Sequence, residues 1–249
     1  MSSPVAASAF PIQERAVNHA LQVWPLFLGI AIIMLANGLQ GTLLSLRATL
    51  EGFSPAVTGG IMSAYFVGML VGAPWATRLV GRVGHVRVFA GLASTASVCV
   101  LIHGVFVDPW VWGAVRFVAG LCFAGIFVVA ESWLNVQATN STRGRLLSAY
   151  MVVVFLGLAV GQFLLPLADP RTIDLFVMVS ALVSLAMVPM LLSRLPAPDI
   201  PTVEGLGVGA LYRASPLGVI TALMSGVAHG ALFGMGAVYA QAIGLDSSG

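Results

Sequence analysis

The chain has 249 residues, of which 59% are hydrophobic and only 8% charged, against about 25% charged in soluble domains, and its mean hydropathy is +0.99. That composition excludes a water-soluble fold and marks an all-α integral membrane protein. A net charge of +2 with no basic run excludes nucleic acid as a partner.

Residues 1–20 carry no apolar core ahead of a small-residue patch, so they are expected to remain on the protein as a cytoplasmic tail. A bilayer core takes ~20 apolar residues per helix. Runs of that length predict seven spans, at 21–46, 57–80, 88–106, 110–135, 146–167, 174–193 and 216–243. FSPA at Phe53, GRVGHVR at Gly81, VDP at Val107, QATNSTRGR at Gln137, ADPRT at Ala168 and a linker over 195–215 separate them, mostly by proline and glycine. Cys99 and Cys122 fall inside apolar runs, outside any metal-ligand spacing, and read as small core hydrophobes.

All eleven basic side chains are arginine. Arg15, Arg78, Arg82, Arg87, Arg143, Arg145, Arg194 and Arg213 lie on the side of the amino terminus and the even-numbered connections; Arg47 and Arg171 lie opposite. The positive-inside rule then places the amino terminus in the cytoplasm. Seven spans suggest a rhodopsin or receptor, but the absence of lysine forbids a retinal Schiff base and the amino terminus is on the wrong side for those families.

A shift of 192 residues lays the seventh span over the first, matching Gly38 with Gly230, Ala48 with Ala240, Gly52 with Gly244 and Asn37 with His229. The expected organisation is therefore a six-helix unit over 21–194, the cytoplasmic linker over 195–215, and, over 216–249, the first helix of an incomplete second unit.

The turn TRLVGRVGHVR, from Thr77 to Arg87, resembles the G-x-x-x-D-R-x-G-R-K turn of the major facilitator superfamily: Arg82 and Gly84 match, while Thr77 replaces the first glycine and Gly81 the aspartate. Arg116, Gly120 and Gly125 resemble that family's helix-four R-x-x-x-G pattern. With YFVGMLVG from Tyr65, VVAESWLN from Val128 and TRGRLLSAYMVV from Thr142, the chain is most similar to the YcaD-like branch. The resemblance implies a transporter of two six-helix halves and is silent on substrate. It also implies that a basic residue of the turn after the second span pairs with an acid at the inner end of helix four when the cytoplasmic side is closed. The gate candidates are Arg82, Gly84, Arg87, Glu131 and Arg143. Glu131 lies fifteen residues past Arg116, about 22 Å along a helix.

Arg116, Gly120, Phe123, Phe127 and Glu131 keep within about 60° of one helical stripe. An arginine within a span costs ~2.5–3.5 kcal/mol on the forgiving insertion scale, so Arg116 either snorkels to headgroups or serves the cavity, binding an anionic substrate or orienting helix one. Asn37, Gln40, Leu44 and Arg47 share a face of the first span, as interhelical ties or solute contacts. Gly60, Ala64, Gly68 and Gly72 form a small-residue stripe for close helix approach. Tyr65 and Gln162 are candidate cavity hydrogen-bonders, His229 a candidate proton carrier, and His103 is expected at the interface. Those six residues of the cavity set are Asn37, Gln40, Tyr65, Arg116, Gln162 and His229. No catalytic set, metal cluster or phosphate loop is present, so neither an enzyme nor a cofactor is expected.

The favoured reading is a secondary transporter of the cytoplasmic membrane, moving a small solute, with a proton or ion as candidate coupler, by rocking of two halves. A solute sensor on a transporter fold and an inactive half-transporter lacking its remaining C-terminal helices stand as alternatives.

Overall fold

A computed structural model describes residues 11–192 and 208–243. Its elements are α1 (Pro11–Leu50), α2 (Pro55–Val83), α3 (His85–Val105), α4 (Pro109–Gln137), α5 (Arg143–Gln162), a short 3-10 turn (Leu165–Leu167), α6 (Asp174–Leu185), α7 (Met187–Leu192), α8 (Val208–Ala214) and α9 (Pro216–Ala242). The expected tail over 1–10, the linker over 195–207 and the end over 244–249 fall outside the described residues. Residues 11–20 of the expected tail are helical, as the start of α1 ahead of the apolar stretch that begins at Trp24, and part of the expected linker forms α8. Among the described residues six helices are long and apolar enough to cross a membrane, and α9 adds a shorter apolar stretch, Pro216–Leu232.

Local sequence explains the boundaries. Ser54 accepts from the backbone N–H of Val57, and Asp108 from those of Trp110 and Val111, each followed by a proline at the first helical position, so FSPA and VDP are helix starts. Gly84, at φ 92°, is the single residue between α2 and α3; a side chain there would be strained, and the glycine permits the abrupt turn. The predicted sixth span is broken between α6 and α7 because Pro189 has no N–H for the carbonyl one turn earlier.

Two helix pairs meet at backbone distance. A Cβ on Gly120 of α4 would lie 2.0 Å from the Tyr65 carbonyl oxygen of α2, and one on Gly68 would lie 2.1 Å from that of Phe117. A Cβ on Gly38 of α1 or Gly161 of α5 would lie 2.3 Å from the carbonyl oxygen of Leu158 or Leu35 respectively. The helices are held this closely only because these positions have no side chain. Of the predicted stripe, Gly68 and Gly72 face α4 while Gly60 faces open space; a four-residue step drifts about 40°, which turns Gly60 away.

As α2 packs on α4, α1 packs on α5; as α3 packs on α4, α6 packs on α1; and α3 meets α6. Exchanging the first three helices for the next three reproduces the same pairing, the mark of an internal three-helix repeat. The α9 helix lies against α1 and α2, with Gly230 beside the Phe66 ring. Leu70, Trp75, Val152, Phe155 and Phe163 are exposed on the outside of α2, α5 and the residues just after α5, an apolar exterior suited to hydrocarbon.

Candidate functional site

The contact of Gly120 with α2 brings Arg116, one turn earlier, down onto Tyr65 and Met62. The guanidinium carbon lies 4.5 Å from the Tyr65 ring centroid, and Nη2 lies 3.7 Å from the Met62 sulfur. Arg116 is 5% exposed, and its Nε and Nη1 have no hydrogen-bond partner. The snorkelling alternative is excluded by that burial. The Asn37 side chain of α1 lies near the Tyr65 hydroxyl, and His103 of α3 lies within electrostatic range of the guanidinium. Gln40 is 1% exposed with neither amide atom bonded. The structure therefore joins Asn37, Tyr65 and Arg116 from three helices and leaves a buried positive charge with no counter-charge among the described residues. Among the described residues the one ion pair is Arg47 with Glu51, at 2.7 Å, and Arg47 also donates to the Pro170 carbonyl.

Gln162 is placed differently. Its Oε1 accepts from the Thr42 hydroxyl and its Nε2 donates to the Gly38 carbonyl at 2.8 Å, so both ends of the amide tie α5 to α1. Thr42 was not legible as a partner, since the pair is 120 residues apart. Thr42→Val and Gln162→Leu are each expected to cost about 0.5–2 kcal/mol, with coupling in the double mutant and no change in solute selectivity. Thermal melts of the four proteins check this; fully additive losses would show that the two side chains do not act together.

His103 is not interfacial: it is 1% exposed, its Nδ1 donates to the Cys99 carbonyl at 2.7 Å, and the fully buried Trp112 ring packs 5.9 Å away and covers it. His229 is exposed on α9, where its Nδ1 donates to the Ser225 carbonyl one turn earlier.

At the opposite end of the bundle, Arg82 and Arg87 are exposed on either side of the Gly84 turn, and Glu131 of α4 and Arg143 at the start of α5 are exposed as well. No ion pair among the described residues joins Glu131 to Arg82 or Arg87; its electrostatic neighbour is the buried Tyr150 of α5. The contact that docks the turn on α4 is His85, which the sequence reading passed over. It is 1% exposed, with Nε2 3.0 Å from the Ser132 hydroxyl and its ring 5.8 Å from that of Trp133. The Ser132 hydroxyl already donates to the Val129 carbonyl, so it accepts from His85, which fixes the proton on Nε2. Its place beside Gly84 was the available signal, but burial was not readable there.

A family model described as Major Facilitator Superfamily matches residues 26–249. The chain is 32% identical over 235 residues to a protein of Salmonella heidelberg (strain SL476) named uncharacterized MFS-type transporter YcaD, covering 93% of this chain and 61% of that protein. A protein of the same name from Escherichia fergusonii is 30% identical over 222 residues, covering 88% of this chain and 58% of its own length. The chain thus spans about three fifths of the length of these relatives. The crystal structure of a mutant of the nucleoside transporter NupG matches with a TM-score of 0.61 at 13% identity, over 82% of this chain and 51% of that one, a likeness of fold.

Proposed function

Because this chain belongs to the major facilitator superfamily, we propose that it serves a secondary transporter that carries a small solute across the cytoplasmic membrane by alternating access. The observation that carries the reading is the buried, uncompensated Arg116, held by Tyr65 beside Asn37 between α1, α2 and α4. A charge left without a partner costs several kcal/mol in a protein interior, and a site that binds solute is where such a cost has a use. The close α1–α5 and α2–α4 contacts make the six-helix unit stiff enough to rock as one body against a second half.

Solute counterflow in proteoliposomes tests the reading. A protein carrying both halves should exchange a labelled solute saturably, whereas these 249 residues alone should not, since one half walls only one side of a cavity. Tight solute binding without counterflow by the two-half protein would favour the sensor instead. The amino terminus is proposed to face the cytoplasm, on the arginine distribution. A reporter active only in the cytoplasm should work when fused after Arg145 or Arg194 and fail after Asp169; the reverse pattern would overturn the orientation.

A further inference from the structure

The proposed site has a charge that can be counted. Of the acids whose side chains the structure describes, Glu51 pairs with Arg47, Asp108 caps α4, Asp169 is exposed in the connection before α6 and Asp174 at the first residue of α6, and Glu131 lies fifteen residues past Arg116 along α4. None of them reaches Arg116. A guanidinium keeps its proton under all physiological conditions, so the described residues of the cluster carry one net positive charge. Arg47 is paired with Glu51, and every other arginine whose side chain the structure describes is exposed, so no second arginine among them joins it.

Hydrogen-bond capacity and space agree with that count. Arg116 has two unpartnered nitrogens; Gln40, three residues after Asn37 on the same side of α1, has an unpartnered amide. The flanking glycines Gly41 of α1 and Gly113 of α4 are half-buried, and a Cβ on either would meet nothing within 4 Å, unlike Gly38 and Gly120, which are flush against backbone. Gly41 lies one turn from Asn37, and Gly113 precedes Arg116 by three residues on nearly the same side of α4. Met62 gives the site an apolar wall.

We infer that Arg116 receives the carboxylate of a small organic monocarboxylate, with Gln40 and Asn37 as amide donors and the space at Gly41 and Gly113 for its carbon skeleton. A monoanion brings the charge that this half contributes to zero; a dianion would exceed it, and a neutral solute would leave the guanidinium uncompensated. This rests on the transporter reading of the same residues.

The test is ligand-dependent thermal stability of the purified protein in chloride-free detergent buffer, with acetate, lactate and benzoate set against acetamide, lactamide and benzamide, and against chloride. One or more of the carboxylates should raise the melting midpoint saturably, while its amide and chloride do not. Arg116→Gln should abolish the shift, and Arg116→Lys should weaken binding about tenfold, because an ammonium does not reproduce the planar fork. Gly113→Leu keeps the charge and fills the open space, so it should fold as wild type and lose the response. Equal shifts by acid and amide, a full response in Arg116→Gln, or stabilisation by chloride equal to that by the carboxylates would overturn the inference, as would no shift with any carboxylate. Carboxylate binding through Arg116 without counterflow in the two-half protein would leave this inference standing and remove the transport reading; counterflow of a neutral solute with no carboxylate effect would do the reverse.

Discussion

Replacing Arg116 with methionine should stabilise the fold and abolish transport. Two opposing energies decide the first half of that result. The guanidinium gains about 0.5–2 kcal/mol from the Tyr65 face, but leaving a charge unpaired in the interior costs several kcal/mol, and a hydrophobic residue of similar length avoids that cost. The net gain expected is about 1–4 kcal/mol, read as a rise in melting midpoint. The second half follows from the lost contact. Removing the charged partner of a buried ionic contact costs about 2–5 kcal/mol of binding, so exchange by the two-half protein should fall by about 30-fold to several thousandfold in kcat/KM. A variant that melts lower than wild type would show that Arg116 is structural, holding α4 to α2, and would remove it from the solute site.

Gly120→Ala should disrupt the α2–α4 contact out of proportion to the single carbon added. The new Cβ would sit 2.0 Å from the Tyr65 carbonyl oxygen, 2.9 Å from its carbon and 3.0 Å from the Met69 nitrogen, all backbone atoms. No side-chain rotation relieves that overlap, so the helices must part, at a cost of about 3 kcal/mol or more, the upper end of overpacking penalties. Parting them also lifts Arg116 from Tyr65, so solute exchange should fail together with stability. Gly91→Ala is the matched control: it is an exposed glycine of α3 whose Cβ would meet nothing within 4 Å, and its effect should stay within about 0.5 kcal/mol. Size-exclusion profiles and melts of detergent extracts distinguish the two. A Gly120→Ala protein as well behaved as Gly91→Ala would mean that α2 and α4 do not approach at backbone distance.

Length and order of hydrophobic runs are local properties, and they determined the membrane class and the helix order from sequence alone. The starts at Ser54-Pro55 and Asp108-Pro109 were readable for the same reason, because a cap and a proline act within one turn. The turn motif and the helix-four R-x-x-x-G pattern carried the family. What each polar side chain does was not local. Arg116 could have snorkelled, and only the approach of Gly120 to α2 buries it. Gln162 looked like a solute contact until Thr42 and the Gly38 carbonyl, 120 and 124 residues away, took both ends of its amide. His103 changed from interfacial to buried because Trp112 closes over it, and His85 acquired a role because α4 presents Ser132 to it. The helical period places these residues on a face, but the pairing of faces is settled by which backbones can come close, and that belongs to the tertiary structure.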